Sequence, residues 1–307
     1  MNYEELILQT CLKDDRYIVM TAENRALIRN LPPTLKDRFI DVGITEQCMI
    51  GVAAGFALRG RIPIVHALAS FLTMRAFEFV RTDVGLGKLP VKLSSFVPGF
   101  LSDGNGPTHQ AIEDISIMRG IPGMQVFCPA DEEDMLLALP EIWNSPYPGY
   151  VRINTRKSEG YKHIPFQIGK AEVVSSGKDI TLLVYGMLFS EALKAKALLE
   201  KEGYSVGLVN LRSLSPVDEN VLLEAAETSR LLVTIEDHFE IGGLYSILAE
   251  LFLRRKAVAN VFPISLGKNW YQPGRLPEVL DYAGFTGEKL FEKIAAQMEG
   301  KFLKQKV

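Results

Sequence analysis

Along almost its whole length the chain alternates short apolar runs of strand length with longer stretches of helical periodicity, and that alternation limits it to one fold class. In the first half the runs are YIVMTA, RFIDV, IPIVHA, VKLSSF, MQVFCP and GYVRIN, separated by helical segments such as Ser70 to Gly85 and Asp131 to Trp143. Strands that are apolar throughout must be covered on both faces, so a mainly parallel sheet between helical layers is expected. A polar joint, TRKSEGYKHIPFQIGKAEVVSSGKD, interrupts the pattern, which restarts at DITLLVYG and continues through SVGLVNL, RLLVTIED and NVFPISL. The expected organisation is α/β, with two doubly wound, mainly parallel-sheet domains, 1–165 and 166–307. Their boundary falls near Pro165, and LPEVLDYAGFTGEKLFEKIAAQM is expected to form terminal helices.

With 307 residues and 47% hydrophobic composition the chain can bury a large core. Its 34 basic and 37 acidic residues leave a net charge of −3, which argues for neither nucleic acid nor an anionic membrane as partner. No stretch approaches a membrane span, and the acidic, amphipathic MNYEELILQTCLKDD lacks the basic and apolar regions of a signal peptide. A cytoplasmic location is expected. Cys11, Cys48 and Cys128 are odd in number, far apart and without metal-ligand spacing, so reduced core thiols are expected.

The stretch Arg38 to Gly60 reads as a short strand, a glycine turn at Gly43 and a long helix of small residues. On a helical period Glu46 shares a face with Met49, Ile50, Ala53 and Ala57, which presents a carboxylate on an apolar stripe. Two roles fit that position. The carboxylate can complement the positive end of the helix, or it can hold a ligand that offsets its burial.

Three further segments carry chemistry-bearing residues. SDGNGPTHQAIEDISIMRGIPGM, Ser102 to Met124, is dense in glycine and reads as a loop leading into the helix AIEDISIM; His109 within it fits a capping, a solvated or a catalytic role. In HALASFLTMRAFEFV periodicity alone makes Phe71 and Phe77 core residues, while Arg75 fits a surface salt bridge. In YVRINTR the period-two rule puts Arg152, Asn154 and Arg156 on one strand face. Two arginines at a strand end suit a phosphate clamp, although a solvated edge carries such charges too.

The string DVGITEQCMIGVAAGFALRGRIPIV resembles the pyrimidine-binding domain of thiamin-diphosphate enzymes, and GPTHQ followed by a helix, an R-x-I-P turn and a strand ending in PAD resembles transketolases and deoxyxylulose-phosphate synthases. TIEDHFEIGGLYSILAELF is similar to their carboxy-terminal domain, so the resemblance covers nearly the whole chain. It implies that Glu46 hydrogen-bonds N1′ of the cofactor's aminopyrimidine, that Phe71 stacks on that ring, and that Leu68, Met74 and Phe77 line the same pocket. It further implies that His109 contacts the substrate, that Arg156, ahead of Arg152, binds a phosphate, and that Arg75, in an RAF triplet like the synthases' RAY, faces the substrate. For His238 it leaves a place near a subunit interface or a satisfied structural role.

Two departures from the family pattern stand out. The GDG motif with its following asparagine, which holds the diphosphate through Mg²⁺, is absent; no metal ligands are expected in this chain, and a companion amino-terminal subunit in an α2β2 assembly is implied. In SFVPGFLSDGNGPTHQ, Val97 stands where transketolases have a histidine and Asn105 where they have an aspartate. Substrates other than the ordinary pentose phosphates are therefore expected, drawn from sugars, sugar phosphates or 2-oxoacids. The beta subunit of a 2-oxoacid dehydrogenase shares the two-domain outline but carries a QHSQ-like loop in place of PTHQ. An inert interaction subunit is the remaining alternative.

Overall fold

The computed structural model describes residues 1–157 and 160–300. Residues 158–159 of the polar joint and 301–307 of the expected second domain lie outside them. Strands β1 (Tyr17–Thr21), β2 (Phe39–Asp41), β3 (Ile62–Leu68), β4 (Lys92–Phe96), β5 (Gln125–Phe127) and β6 (Gly149–Arg152) run parallel in the order β5-β6-β4-β3-β1-β2. The remaining strands are β7 (Glu172–Ser175), β8 (Ile180–Val184), β9 (Val206–Asn210), β10 (Ser213–Ser215), β11 (Leu231–Ile235) and β12 (Val261–Ile264). All but β10 form a second sheet in the order β12-β11-β8-β9-β7, parallel except for β7. β10 instead crosses back and pairs antiparallel with β5, at the edge of the first sheet. Two α/β domains with mainly parallel sheets are thus present, and the second half of the chain completes the first half's sheet.

Every apolar run named in the sequence became a strand. β7 and β10 were not foreseen: both are short edge strands, and their sequences, EVVS and SLS, carry no strong alternation. The expected helix Ser70 to Gly85 is broken into a π turn at Phe71–Arg75, a single α turn at Phe77–Phe79 and a second π turn at Val80–Gly85. After GPTHQ the helix is shorter than AIEDISIM and begins at Asp114. The Glu46–Leu58 helix buries Glu46, Met49, Ile50, Ala53 and Ala57, the face that the 3.6-residue period requires.

That helix packs into a core that runs from Met20 and Val65 through Val126 to Leu183, Tyr185 and Leu248, so one apolar layer joins the two sheets. A second core fills the far face of the second sheet and takes in Phe100 and Ile112 from the first half. Cys11 and Cys128 are buried, but Cys48 is exposed, against the expectation of three core thiols. The reason is rotational. Two residues past Glu46, a side chain has turned to the opposite face of the helix.

Two polar clusters fasten the domains. Arg152, 3% exposed, donates from Nη2 to Asp114 Oδ1 at 2.6 Å, from Nε to Asp114 Oδ2 at 2.8 Å, and from Nη1 to Asp237 Oδ1 at 2.6 Å. Burial works against all three charges. It is outweighed at Asp114, which the bidentate arginine holds below the usual carboxylate range, but prevails at Asp237, which is pushed up. In the joint, His163 lies between Asp131 at 2.9 Å and Glu172 at 2.7 Å. Asp134 and Arg212 complete that cluster.

Removing one partner of a buried ion pair leaves an uncompensated charge, so Asp237→Ala is expected to cost about 3–5 kcal/mol in urea denaturation. A loss below about 1 kcal/mol, the scale of a surface pair, would show that Asp237 does not hold the domains. Burial alone would lower the His163 pKa, but its bonds to Asp131 and Glu172, with Asp134 nearby, raise it from 6.5 to about 10. The folded value lies above the unfolded one, so the stabilisation is complete below pH 6.5 and fades as the pH climbs to about 10. His163→Gln should therefore lower the urea midpoint at pH 6 and flatten its decline between about pH 6.5 and 10. An unchanged pH profile would mean that the imidazolium contributes nothing.

Candidate active site

Asp41 ends β2 and closes an Asx turn by accepting from the Gly43 N–H at 3.0 Å. The Glu23 N–H, at 3.0 Å, and Arg25 Nε, at 2.6 Å, also donate to this carboxylate. Burial would raise the Asp41 pKa, but these donors hold it below the usual carboxylate range. Gly43 stands at φ +73, in the left-handed region that glycine tolerates. The chain is thereby steered into the Glu46 helix at a fixed angle. Asp41 was not among the expected site residues, although Asp-x-Gly after a strand is a legible turn signal.

Glu46 is the first residue of that helix and only 2% exposed. Its Oε2 accepts from Arg75 Nη1 at 2.9 Å, and among the described residues Oε1 has no hydrogen-bond partner. The Arg75 guanidinium lies over the Phe71 ring, 3.8 Å from its centre. That ring meets the His109 imidazole at 5.1 Å, tilted by 59°. Glu46, Arg75, Phe71 and His109, which come from three separate stretches of chain, therefore form one unbroken line of contacts. The line runs over the loops that leave the carboxyl ends of β2, β3 and β4, where open α/β sheets place their ligands.

The π turn at Phe71–Arg75 helps set this geometry. Its wider pitch lets the Ala76 N–H reach back to Phe71 O at 3.1 Å and carries Phe71 and Arg75 towards the Glu46 helix, against which the turn packs. Phe77 packs against the core, as periodicity suggested, but Phe71 does not belong to any core cluster. Leu68 is half-buried at the end of β3, and Met74 is 37% exposed beside Arg75.

The His109 loop is pinned from the second half of the chain. Asp237 Oδ2 accepts from the Phe100 N–H at 3.1 Å, the Tyr271 hydroxyl donates to Gly99 O at 2.8 Å, and Gln110 Nε2 donates to Tyr271 O at 2.9 Å. Asp237 and Tyr271 are positioning residues with no local signal in the sequence, because the loop they hold lies more than 130 residues away. Thr108 Oγ1 lies 2.9 Å from His109 Nδ1. Asn105 is exposed and reaches Ser102 Oγ at 3.4 Å. Val97 sits at φ +49, an unusual conformation for a β-branched residue.

The two strand-end arginines part company. β6 ends at Arg152, whose guanidinium is engaged by Asp114 and Asp237 in the interior; it does not reach the Glu46 line, so its geometry opposes the clamp expectation. Arg156 lines a cleft of about 250 Å³ with Lys157, Ser190, Lys194 and Asp131, and no residue of the Glu46 line takes part in it. Asn154 turns inward to donate to Ala130 O at 2.7 Å. His66 and His238 are both buried, which lowers their pKa values to about 3 and about 4. His238 is satisfied within the fold, with Nδ1 2.6 Å from Phe239 O. Among the described residues no group of three or more His, Cys, Asp or Glu side chains is arranged to hold a metal ion.

Comparison with known proteins agrees with this architecture. Residues 7–160 match the transketolase pyrimidine-binding domain and residues 169–290 the transketolase C-terminal domain. A 6-deoxy-6-sulfo-D-fructose transketolase subunit, SqwH, from Clostridium sp. (strain MSTE9) is 35% identical over 85% of this chain and 84% of its own length. A putative transketolase C-terminal section from Methanocaldococcus jannaschii is 30% identical over 97% of this chain and 95% of its own. The 1-deoxy-D-xylulose-5-phosphate synthase of Dictyoglomus thermophilum is 36% identical over 86% of this chain, which spans only 43% of that enzyme. Among solved structures, a split gene transketolase described as an inactive beta4 tetramer superimposes with a TM-score of 0.88 at 30% identity, covering 97% of each chain. The chain belongs to the transketolase family of thiamin-diphosphate enzymes and is built from that family's pyrimidine-binding and C-terminal domains.

Proposed function

We propose that this chain is the pyrimidine-binding subunit of a two-component, thiamin-diphosphate-dependent transketolase. It would transfer a two-carbon ketol unit between sugar or sugar-phosphate-like substrates, and it would act only with a companion subunit. The observation that carries this reading is Glu46: a carboxylate 2% exposed, with one oxygen unpartnered among the described residues, beside a half-buried aromatic face. A flat, nitrogen-rich ring suits that pairing of acceptor and stacking surface. Leu68, Met74 and Phe77 stand on the same segment. The GDG motif that would fix Mg²⁺ and the diphosphate is absent from the sequence, which supports a companion subunit that supplies both, in an α2β2 assembly.

When bound, thiamin diphosphate would supply a carbon nucleophile and an electron sink. Glu46 would hold a proton against the aminopyrimidine nitrogen, and its burial would strengthen that hydrogen bond. Phe71 would fix the ring plane. His109, with Nδ1 committed to Thr108, has Nε2 available to orient or protonate a substrate oxygen. Arg156, whose cleft shares no residue with the Glu46 line, would take an anionic group only at the far end of a substrate long enough to reach both.

Val97 and Asn105 replace two groups that read sugar hydroxyls in the family, and this supports a substrate outside the ordinary pentose phosphate pair. A 35% identical relative is named for a sulfonated ketose, so sulfonated sugars belong with phosphorylated ones in the substrate screen. After co-purification has identified the companion, Glu46→Gln is expected to lower kcat of the assembled complex by about 10²–10³-fold, the range that single transition-state interactions supply. The wild-type chain alone, given thiamin diphosphate and Mg²⁺, is expected to show no turnover. Unchanged activity of the Glu46→Gln complex would move the site elsewhere, and activity of the isolated chain would remove the companion.

A further inference from the structure

Arg75 makes two contacts at once. Its Nη1 donates to the buried Glu46 carboxylate at 2.9 Å, and its guanidinium covers the Phe71 ring at 3.8 Å. A guanidinium is planar, with donors in its plane and a face that stacks on aromatic rings, and a protonated aminopyrimidine has that same outline. We infer that Arg75 is an internal stand-in for the cofactor's ring: it takes the carboxylate and the aromatic face in the free chain and must leave both before the pyrimidine enters. This rests on the reading of Glu46 and Phe71 given above.

The energetics require some such partner. A carboxylate as buried as Glu46 is costly without a donor, and Arg75 provides one. The two partners differ in depth, because the Arg75 side chain is 39% exposed where Glu46 is 2%. An arginine at the rim can swing into solvent and recover its hydration, so the cost of separation falls on Glu46 alone, and an entering ring that donates to the carboxylate offsets it. The ring therefore competes with a side chain that is always present, and its apparent affinity falls by the fraction of chains in which Arg75 is out. An ion pair with one partner at the rim and a cation–π contact together correspond to an effect of about tenfold or more.

The test uses the full chain and two probes, thiamin diphosphate with Mg²⁺ and the free ring 4-amino-5-hydroxymethyl-2-methylpyrimidine, titrated calorimetrically. Arg75→Met is expected to bind the free ring about tenfold more tightly than wild type. Its thermal midpoint without ligand should drop and recover when the ring is added. Arg75→Lys keeps the charge but loses the flat face, so an intermediate affinity is expected; it also serves if Arg75→Met fails to fold. Glu46→Gln separates the two readings by weakening the ring in either background. If Arg75→Met binds the ring no better than wild type, or neither binds it, while Glu46→Gln still abolishes activity of the assembled complex, the stand-in is overturned and the cofactor reading survives. If Glu46→Gln binds the ring as tightly as wild type, both fall.

Discussion

The buried Arg152 guanidinium ties the two halves of this molecule together beside the candidate site. Arg152, at the end of β6, grips Asp114 below the His109 loop and Asp237 at the end of β11, and both carboxylates are shielded from water. Charges at that depth are tolerated only where each finds partners, and here the arginine, the Tyr150 hydroxyl and the Phe100 N–H supply them. The same contact excludes a side chain at Gly99, whose Cβ would fall 1.8 Å from Asp237 Oδ2 and whose φ is +54. The backbone thus passes closely over the carboxylate, and the loop that carries His109 starts from a point set by the second domain.

Glu46 and Arg75 follow the same electrostatics at a different depth. Both arginines answer a buried acid, but Arg152 is sealed in while Arg75 stands at the rim. In the first case separation would strand charges in the interior, and the pair is architecture. In the second, water can take over one partner, and the pair is exchangeable. Depth, more than the identity of the residues, decides which ion pair fastens a fold and which one leaves room for a ligand.

This difference also marks the limit of what the sequence discloses. Strand alternation exposed the parallel sheets, and the helical period put Glu46 on the buried face, because both signals are local and repeat. Cys48 followed the same period to the outer face, but composition alone had assigned it to the core. Arg152 was misjudged because period two gives a face and not a depth, and its acids lie 38 and 85 residues away in sequence. The π turns at Phe71–Arg75 and Val80–Gly85 escaped because no sequence period announces them. β10 was hidden since its pairing with β5 reverses the assumption that each half of the chain builds its own sheet.

That crossing lets the second domain shape the candidate site without lending it a residue of the Glu46 line. β10 edges the first sheet, Asp237 and Tyr271 fasten the start of the His109 loop, and Leu276 N–H bonds Asp103 Oδ2 at 3.1 Å within it. Just ahead of Gly99 and Phe100, where Tyr271 and Asp237 grip the loop, the backbone passes through Val97 at positive φ, a strained conformation that persists only where its surroundings impose it. A loop over-determined in this way has few conformations with which to follow a substrate. On the proposed reading, an apolar Val97 and an exposed Asn105 on such a loop leave hydroxyl recognition to rigid shape and to His109, and discrimination then depends on how well a substrate matches the fixed cleft.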